Sequence, residues 1–142
     1  MTRNPGPCYF RLLSKLFASL HARPSLTFES HRYFRGIPEG LLPEPGVYLI
    51  YDNAKVIYVG QSTDVKRRLW GDHKSGRTNG DMFNVYLERR YHALDTVEKR
   101  HKYIRDNCAF RFLIAEDLRD KRTRNLFEAF LIADLDPELN AK

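Results

Sequence analysis

Tyr48, Tyr58, Arg68 and Glu128 are the side chains of this 142-residue chain whose types and settings could combine in one piece of chemistry. A phenol can accept a proton near neutrality once its pKa, about 10 in water, is lowered by adjacent cations such as Arg68 or a bound metal. A forked guanidinium grips phosphate oxygens at two points, which lysine does less well. Glu128 stands alone in the apolar run Leu126 to Ala133, and a carboxylate there is costly unless it is paired, protonated or on a cation. One carboxylate with waters and a phosphate oxygen is a natural setting for magnesium. Each residue also has a plainer reading. Tyrosines pack in ordinary sheets, Arg68 could be a surface helix charge, and Glu128 could pair with Arg124 one turn earlier.

The tyrosines need two strands to hold them. Gly46-Val-Tyr-Leu-Ile-Tyr and Val56-Ile-Tyr-Val-Gly flank the polar Asp52-Asn-Ala-Lys, which predicts a β-hairpin running into a helix. A three-residue loop at Asp52-Asn53-Ala54 pairs Tyr48 with Tyr58, Leu49 with Ile57 and Val47 with Val59. That register collects Val47, Leu49, Ile57 and Val59 on one face and both tyrosines on the other, whereas a two-residue turn at Asn53-Ala54 mixes the faces. After the hairpin, Ser62 or Thr63 can cap a helix that has Asp64 in its first turn and ends near Gly71 to Gly76. Val65 and Leu69 face the sheet, Arg68 lies at the edge of that face, and Lys66 and Arg67 turn to solvent.

At these residues the sequence resembles the GIY-YIG nuclease superfamily. Gly46-Val47-Tyr48 and Tyr58-Val59-Gly60 stand for the two halves of the signature, and Arg68 for the helix arginine. Glu128 stands for the metal-binding glutamate, with Pro137 and Asn140 for the terminal Pro-x-x-Asn. The match runs in order over residues 43 to 142. The resemblance implies a hydrolytic endonuclease in which a tyrosine helps to activate water, either Tyr48 or Tyr58. It also implies Arg68 on the phosphate, Mg2+ or Mn2+ on Glu128, and DNA, duplex or branched, as partner. Gly46 and Gly60 would give backbone clearance at the strand ends, and Asn140 would fix the chain end near Glu128. Two positions depart from the pattern. Several branches carry a histidine four residues after the arginine, where this chain has Asp72 and then His73. One residue rotates a side chain by about 100° on a helix, unless Gly71 breaks the helix and restores it. Gln61 stands where some relatives have lysine.

Composition agrees with a globular, basic chain: 42% hydrophobic, 13% aromatic and a net charge of +6, which suits a polyanionic partner without requiring one. Cys8 and Cys108 suggest neither a zinc site nor a disulfide framework. A cytoplasmic protein is the simplest expectation, and no run approaches the ~18 apolar residues of a membrane span.

The expected organisation is an N-terminal segment, residues 1–42, followed by a nuclease-like domain, residues 43–142. Residues 1 to 7 read as a loose end. Leu12, Leu13, Leu16, Phe17 and Leu20 then mark an amphipathic helix from Tyr9 to His21. This basic segment also fits an organellar presequence, though a helix packed on the domain or on a second subunit is preferred. A connector with Pro24, Pro38, Pro43 and Pro45 and the aromatics Phe28, Tyr33 and Phe34 wraps the core. Residues 77–108 look like an elaboration. Within it, the alternation of Phe83, Val85 and Leu87 favours an edge strand over a helix start. A helix from Asp95 or Thr96 to Asn107 turns Val97 and Ile104 inward and leaves Arg100 solvated. Ala109 to Glu116 alternates as a strand, and Asn125 to Leu135, apolar almost all round, predicts a buried helix.

The fold expected is α/β (α+β): a small mixed or antiparallel sheet of about three main strands, surrounded by helices and preceded by a helical arm. Lys66, Arg67, Lys74, Arg77, Arg119, Lys121 and Arg122 would steer a nucleic-acid backbone. Specificity would come from the arm and the elaboration, from a homodimer or from a partner protein. The rival reading is a non-cleaving nucleic-acid-binding module on the same scaffold, favoured by the displaced histidine.

Overall fold

The computed structural model describes residues 9–28 and 37–140; the expected loose end, Cys8, Tyr33 and Phe34 lie outside them. In chain order come α1 (Tyr9–His21), β1 (Leu26–Thr27), β2 (Gly46–Asp52) and β3 (Lys55–Ser62). A π-helical segment (Arg67–His73), α2 (Met82–Arg90), α3 (Val97–Asn107) and β4 (Cys108–Ile114) follow, then a 3-10 turn (Glu116–Arg119) and α4 (Lys121–Leu135). The sheet is antiparallel throughout, in the order β1-β4-β2-β3.

The sheet has two buried faces. Val47, Leu49, Val59 and Leu113 meet Leu16 and Leu20 of α1 and Phe127 and Leu131 of α4. Tyr48, Ile50, Phe110 and Phe112 meet Val65 and Leu69 before and within the π segment, Phe83 and Leu87 of α2, and Ile104 of α3. The amphipathic α1 therefore packs on the domain.

The hairpin register differs from the expected one. The chain turns at Asn53-Ala54, with Asp52 opposite Lys55 and Asn53 taking the left-handed conformation at φ 51°. A bulge then leaves Ile57 unpaired between Val56 and Tyr58. Beyond it Ile50 faces Tyr58, Leu49 faces Val59 and Tyr48 faces Gly60. The bulge restores the parity that a two-residue turn alone would lose, so the tyrosines still share a face. Ile57 joins them, instead of the aliphatic set.

Three further expectations change. Met82 to Glu88 is helical, because Asp81 accepts from the backbone N–H groups of Phe83 and Asn84 and caps α2. Phe83 and Leu87, one turn apart, then bury together. In α3 it is Arg100, with Ile104, that turns inward while Val97 is exposed. The Arg100 guanidinium is satisfied by Gly76 O at 2.8 Å, Leu94 O at 2.9 Å and Glu88 Oε2 at 2.6 Å. Finally, α4 starts earlier than expected, at Lys121 behind an Asp120 cap, and buries one face while Leu126 and Phe130 stay exposed.

The C-terminal stretch closes the sheet edge. Asn140 donates through Nδ2 to Val59 O and accepts from Val59 N–H through Oδ1, both at 2.8 Å, and Leu139 N–H donates to Ile57 O at 2.7 Å. Asn140→Ala removes both side-chain bonds to the outer strand and is expected to cost about 1–3 kcal/mol in urea unfolding. An unchanged midpoint would mean that the edge holds without it.

Candidate active site

A cleft of about 180 Å3 opens where β3 forms the sheet edge, lined by Tyr48, Tyr58, Gly60, Gln61, Arg68, His73, Gly80, Met82 and Glu128. The structure thus brings Tyr48, Tyr58, Arg68, His73 and Glu128 into one cavity, from β2, β3, the π segment and α4. The tyrosine ring centroids are 6.5 Å apart.

The π segment resolves the histidine's displacement. Its i→i+5 hydrogen bonds put one more residue in the turn than an α-helix has. His73, five residues after Arg68, therefore returns to the angular place that the fourth residue would hold. Its ring is 2% exposed and lies 5.1 Å from the Phe83 ring centroid. Tyr48 Oη is 2.7 Å from His73 Nε2, and His73 Nδ1 is 2.7 Å from Asp81 Oδ1.

Asp81 was absent from the sequence-derived site. It is 2% exposed, and it holds its helix cap and the histidine with the same oxygen. Its other oxygen accepts from Asn84 Nδ2 at 2.8 Å, and Asn84 Nδ2 also donates to His73 O at 3.0 Å. Burial pushes the Asp81 carboxyl up, but the hydrogen bonds from His73 and Asn84 outweigh it and hold it below its ordinary value. The sequence did carry a signal: an aspartate at the end of a Gly-containing turn, just before an i, i+4 apolar pair, is a helix cap.

Arg68 by itself does not acidify either phenol. Burial and the neighbouring Tyr58 raise Tyr48 well above the usual phenol value, and Arg68 lowers it by less. Burial, then Asp81 and Glu128, raise Tyr58. Gly60 makes this burial feasible, since a Cβ there would sit 2.4 Å from Tyr48 Cζ and Oη. Gly46 has the same need for clearance, 2.4 Å from Leu113 O.

Among the described residues Arg68 makes only long contacts, 3.4 Å to Gly80 O and 3.5 Å to Asp72 Oδ2. The plain pairing of Glu128 with Arg124 does not form. Arg124 is buried and donates to Gln61 Oε1 at 3.0 Å, Leu118 O at 3.1 Å and Arg119 O at 2.9 Å. Among the described residues Glu128 has no ion pair. Burial raises its carboxyl, opposed by the backbone N–H of Gln61.

The basic residues divide. Arg67 borders a 300 Å3 hollow that shares Arg68 and Gly80 with the cleft, and Arg77 lines the next one. Lys66 is half-buried beside Arg67, and Lys74 stacks its ammonium 4.1 Å from the Trp70 ring centre. Arg119 is engaged by Glu44 and Glu116. Lys121 and Arg122 border a separate hollow with Leu126.

A family description of the GIY-YIG catalytic domain matches residues 44–140. No curated protein sequence matches the chain. Among solved structures, the GIY-YIG N-terminal endonuclease domain of UvrC from Thermotoga maritima, bound to its catalytic divalent cation, magnesium, is similar at 20% identity and a TM-score of 0.41. That match covers 72% of this chain and 89% of that one. Point mutants of the same domain, also bound to the catalytic divalent cation, match at the same identity and coverage with TM-scores of 0.40 and 0.38. The chain belongs to the GIY-YIG catalytic domain family. It is a GIY-YIG-type endonuclease. Among the described residues no helix is long and apolar enough to cross a membrane.

Gly60→Ala forces the Tyr48 ring out of its seat and is expected to destabilise the domain by about 1–3 kcal/mol. Denaturant unfolding measures this, and a neutral result would show that the ring relocates freely.

Proposed function

We propose that the cleft hydrolyses phosphodiester bonds in DNA with the help of magnesium or manganese. The observation that carries this reading is the Tyr48 hydroxyl held on His73 Nε2 at 2.7 Å in a cleft that also contains Arg68 and Glu128. A water attacking phosphorus gives a proton to Tyr48 Oη while the phenol passes its own proton to Nε2. This transfer needs no free phenolate, which the raised phenol disfavours. The new P–O bond forms as the bond to the leaving alkoxide breaks, and that alkoxide takes a proton from solvent. Arg68, held by long contacts, is free to turn its fork to the phosphate and stabilise the charge that develops there. Tyr48 is thereby favoured over Tyr58 as the residue that takes the water's proton.

Glu128 fits a metal ligand: a half-buried carboxylate with raised proton affinity and, among the described residues, no ion pair gains from a cation. Among the described residues no cluster of three or more His, Cys, Asp or Glu side chains accompanies it, which suits a cation that keeps most of its waters. When bound, the metal supplies Lewis-acid charge at the phosphate oxygens. DNA is favoured by the family and by the +6 charge, with Lys66, Arg67, Lys74 and Arg77 closest in sequence to the cleft-lining segment. The non-cleaving alternative drew on the displaced histidine, and the π turn removes that ground.

The test is cleavage of supercoiled plasmid and branched duplexes with magnesium, manganese or chelator present. The wild type is expected to cut only with metal, while Glu128→Ala binds DNA and does not cut. Arg68→Lys is expected to lower kcat by about 10²–10³. Equal binding with no cutting by any of the proteins would establish the binding module instead.

A further inference from the structure

We infer that Asp81 is a positioning residue for the reaction: from the N-cap of α2 it fixes the tautomer of His73 so that the unprotonated Nε2 faces the Tyr48 hydroxyl. The inference rests on the hydrolytic reading above for its consequence, and on geometry alone for the tautomer. Asp81 Oδ1 accepts from His73 Nδ1 at 2.7 Å, from Phe83 N–H at 3.0 Å and, at 3.5 Å, from Asn84 N–H. A carboxylate bound by that many donors is an acceptor only, so Nδ1 carries the imidazole hydrogen. In the neutral ring Nε2 is then the lone-pair nitrogen, and Tyr48 must donate to it. The hydrogen bonds run one way, from Tyr48 Oη–H to Nε2 and from Nδ1–H to Oδ1.

The same carboxylate matters after the proton moves. Once Tyr48 has passed its proton to Nε2, the ring carries a positive charge in a site that is 2% exposed. Asp81 is the carboxylate in contact with it. The other groups near the ring are Tyr48 from β2, Tyr58 from β3, Arg68 from the same segment and Glu128 from α4, across the cleft. Asn84 completes the frame by tying the His73 carbonyl to Asp81 Oδ2. Among the described residues its own buried Oδ1 has no hydrogen-bond partner, so the amide is aligned for this donation at a cost.

The experiment compares the full-length wild type with Asp81→Ser. Serine still accepts from the first backbone N–H groups of α2 and preserves the cap, but it is too short to hold the imidazole. Long-range nitrogen–proton NMR of the ring, assigned with His73→Ala, is expected to show a neutral Nδ1–H ring in the wild type. The variant should lose that fixed tautomer. Cleavage should fall by about 10²-fold or more in kcat with DNA binding little changed, while the melting temperature falls but the fold persists, because buried His73 Nδ1 loses its acceptor and Asn84 Nδ2 one of its two. If serine prevents folding, Asp81→Asn replaces it: the shape and a cap acceptor remain, the charge does not, and kcat is expected to fall at least about tenfold. An Nε2–H ring in the wild type, or wild-type turnover in a folded variant, overturns the inference. If the wild type shows the Nδ1–H ring, the variant loses it, and no substrate is cut, the positioning stands and the hydrolytic reading fails.

Discussion

A phenol oxygen almost wholly withdrawn from water must find a hydrogen-bond partner, and for Tyr48 that partner is His73. An unmet hydroxyl there would cost about 1–3 kcal/mol, so the bond constrains its surroundings. The strand opposite must offer no side chain, which Gly60 satisfies. The helix beneath must deliver a histidine to that point, and five residues separate it from Arg68 where an α-helix would want four. The π segment absorbs the extra residue. It lets Val65 and Leu69 stay in the core while Arg68 and His73 both reach the cleft.

Burial also decides how a phenol can act here. Arg68 is too far out and too solvated to offset the desolvation of Tyr48, so the phenol holds its proton more tightly than in water. A site that needed a standing phenolate would therefore be poorly served. The two-proton transfer proposed above needs none, because in it the tyrosine donates to His73 as it accepts from water. On that reading Arg68 acts on the phosphate and not on the phenol.

The spacing of Tyr48, Tyr58, Arg68 and Glu128 was legible because each sits on an element with a strong local signal: alternating strands, a capped helix, an apolar helix. The shared face of the tyrosines was legible too, although by the wrong register. The segregation of apolar residues holds for any arrangement of the right parity, and a two-residue turn with a bulge has the same parity as a three-residue loop on Tyr48 and Tyr58. Val56 and Ile57 distinguish the two, since they exchange faces. The α2 segment was misread because Phe83, Val85 and Leu87 alternate, while Asp81 had already committed the chain to a helix. Arg100 was misread because its partners, Gly76 O and Leu94 O, are backbone groups of a fold that had first to be assembled. The π turn has no signature of its own in the residues, so His73 could be placed only by the structure.

The setting of Glu128 follows from where Arg124 is directed. On an isolated helix the two would pair, since they are one turn apart. Here Arg124 is drawn inward to close the chain behind the 3-10 turn, donating to Leu118 O and Arg119 O. Gln61, which stands where some relatives have a lysine, completes its coordination with Oε1. Both substitutes for a metal cation are thereby removed: the arginine is committed to other acceptors, and the strand position is neutral. Among the described residues the backbone N–H of Gln61 opposes the burial of Glu128, and does so only in part. In the proposed reading a small, hydrated cation at Glu128 would supply the positive charge that neither neighbour provides, and so oppose the burial that raises the carboxyl.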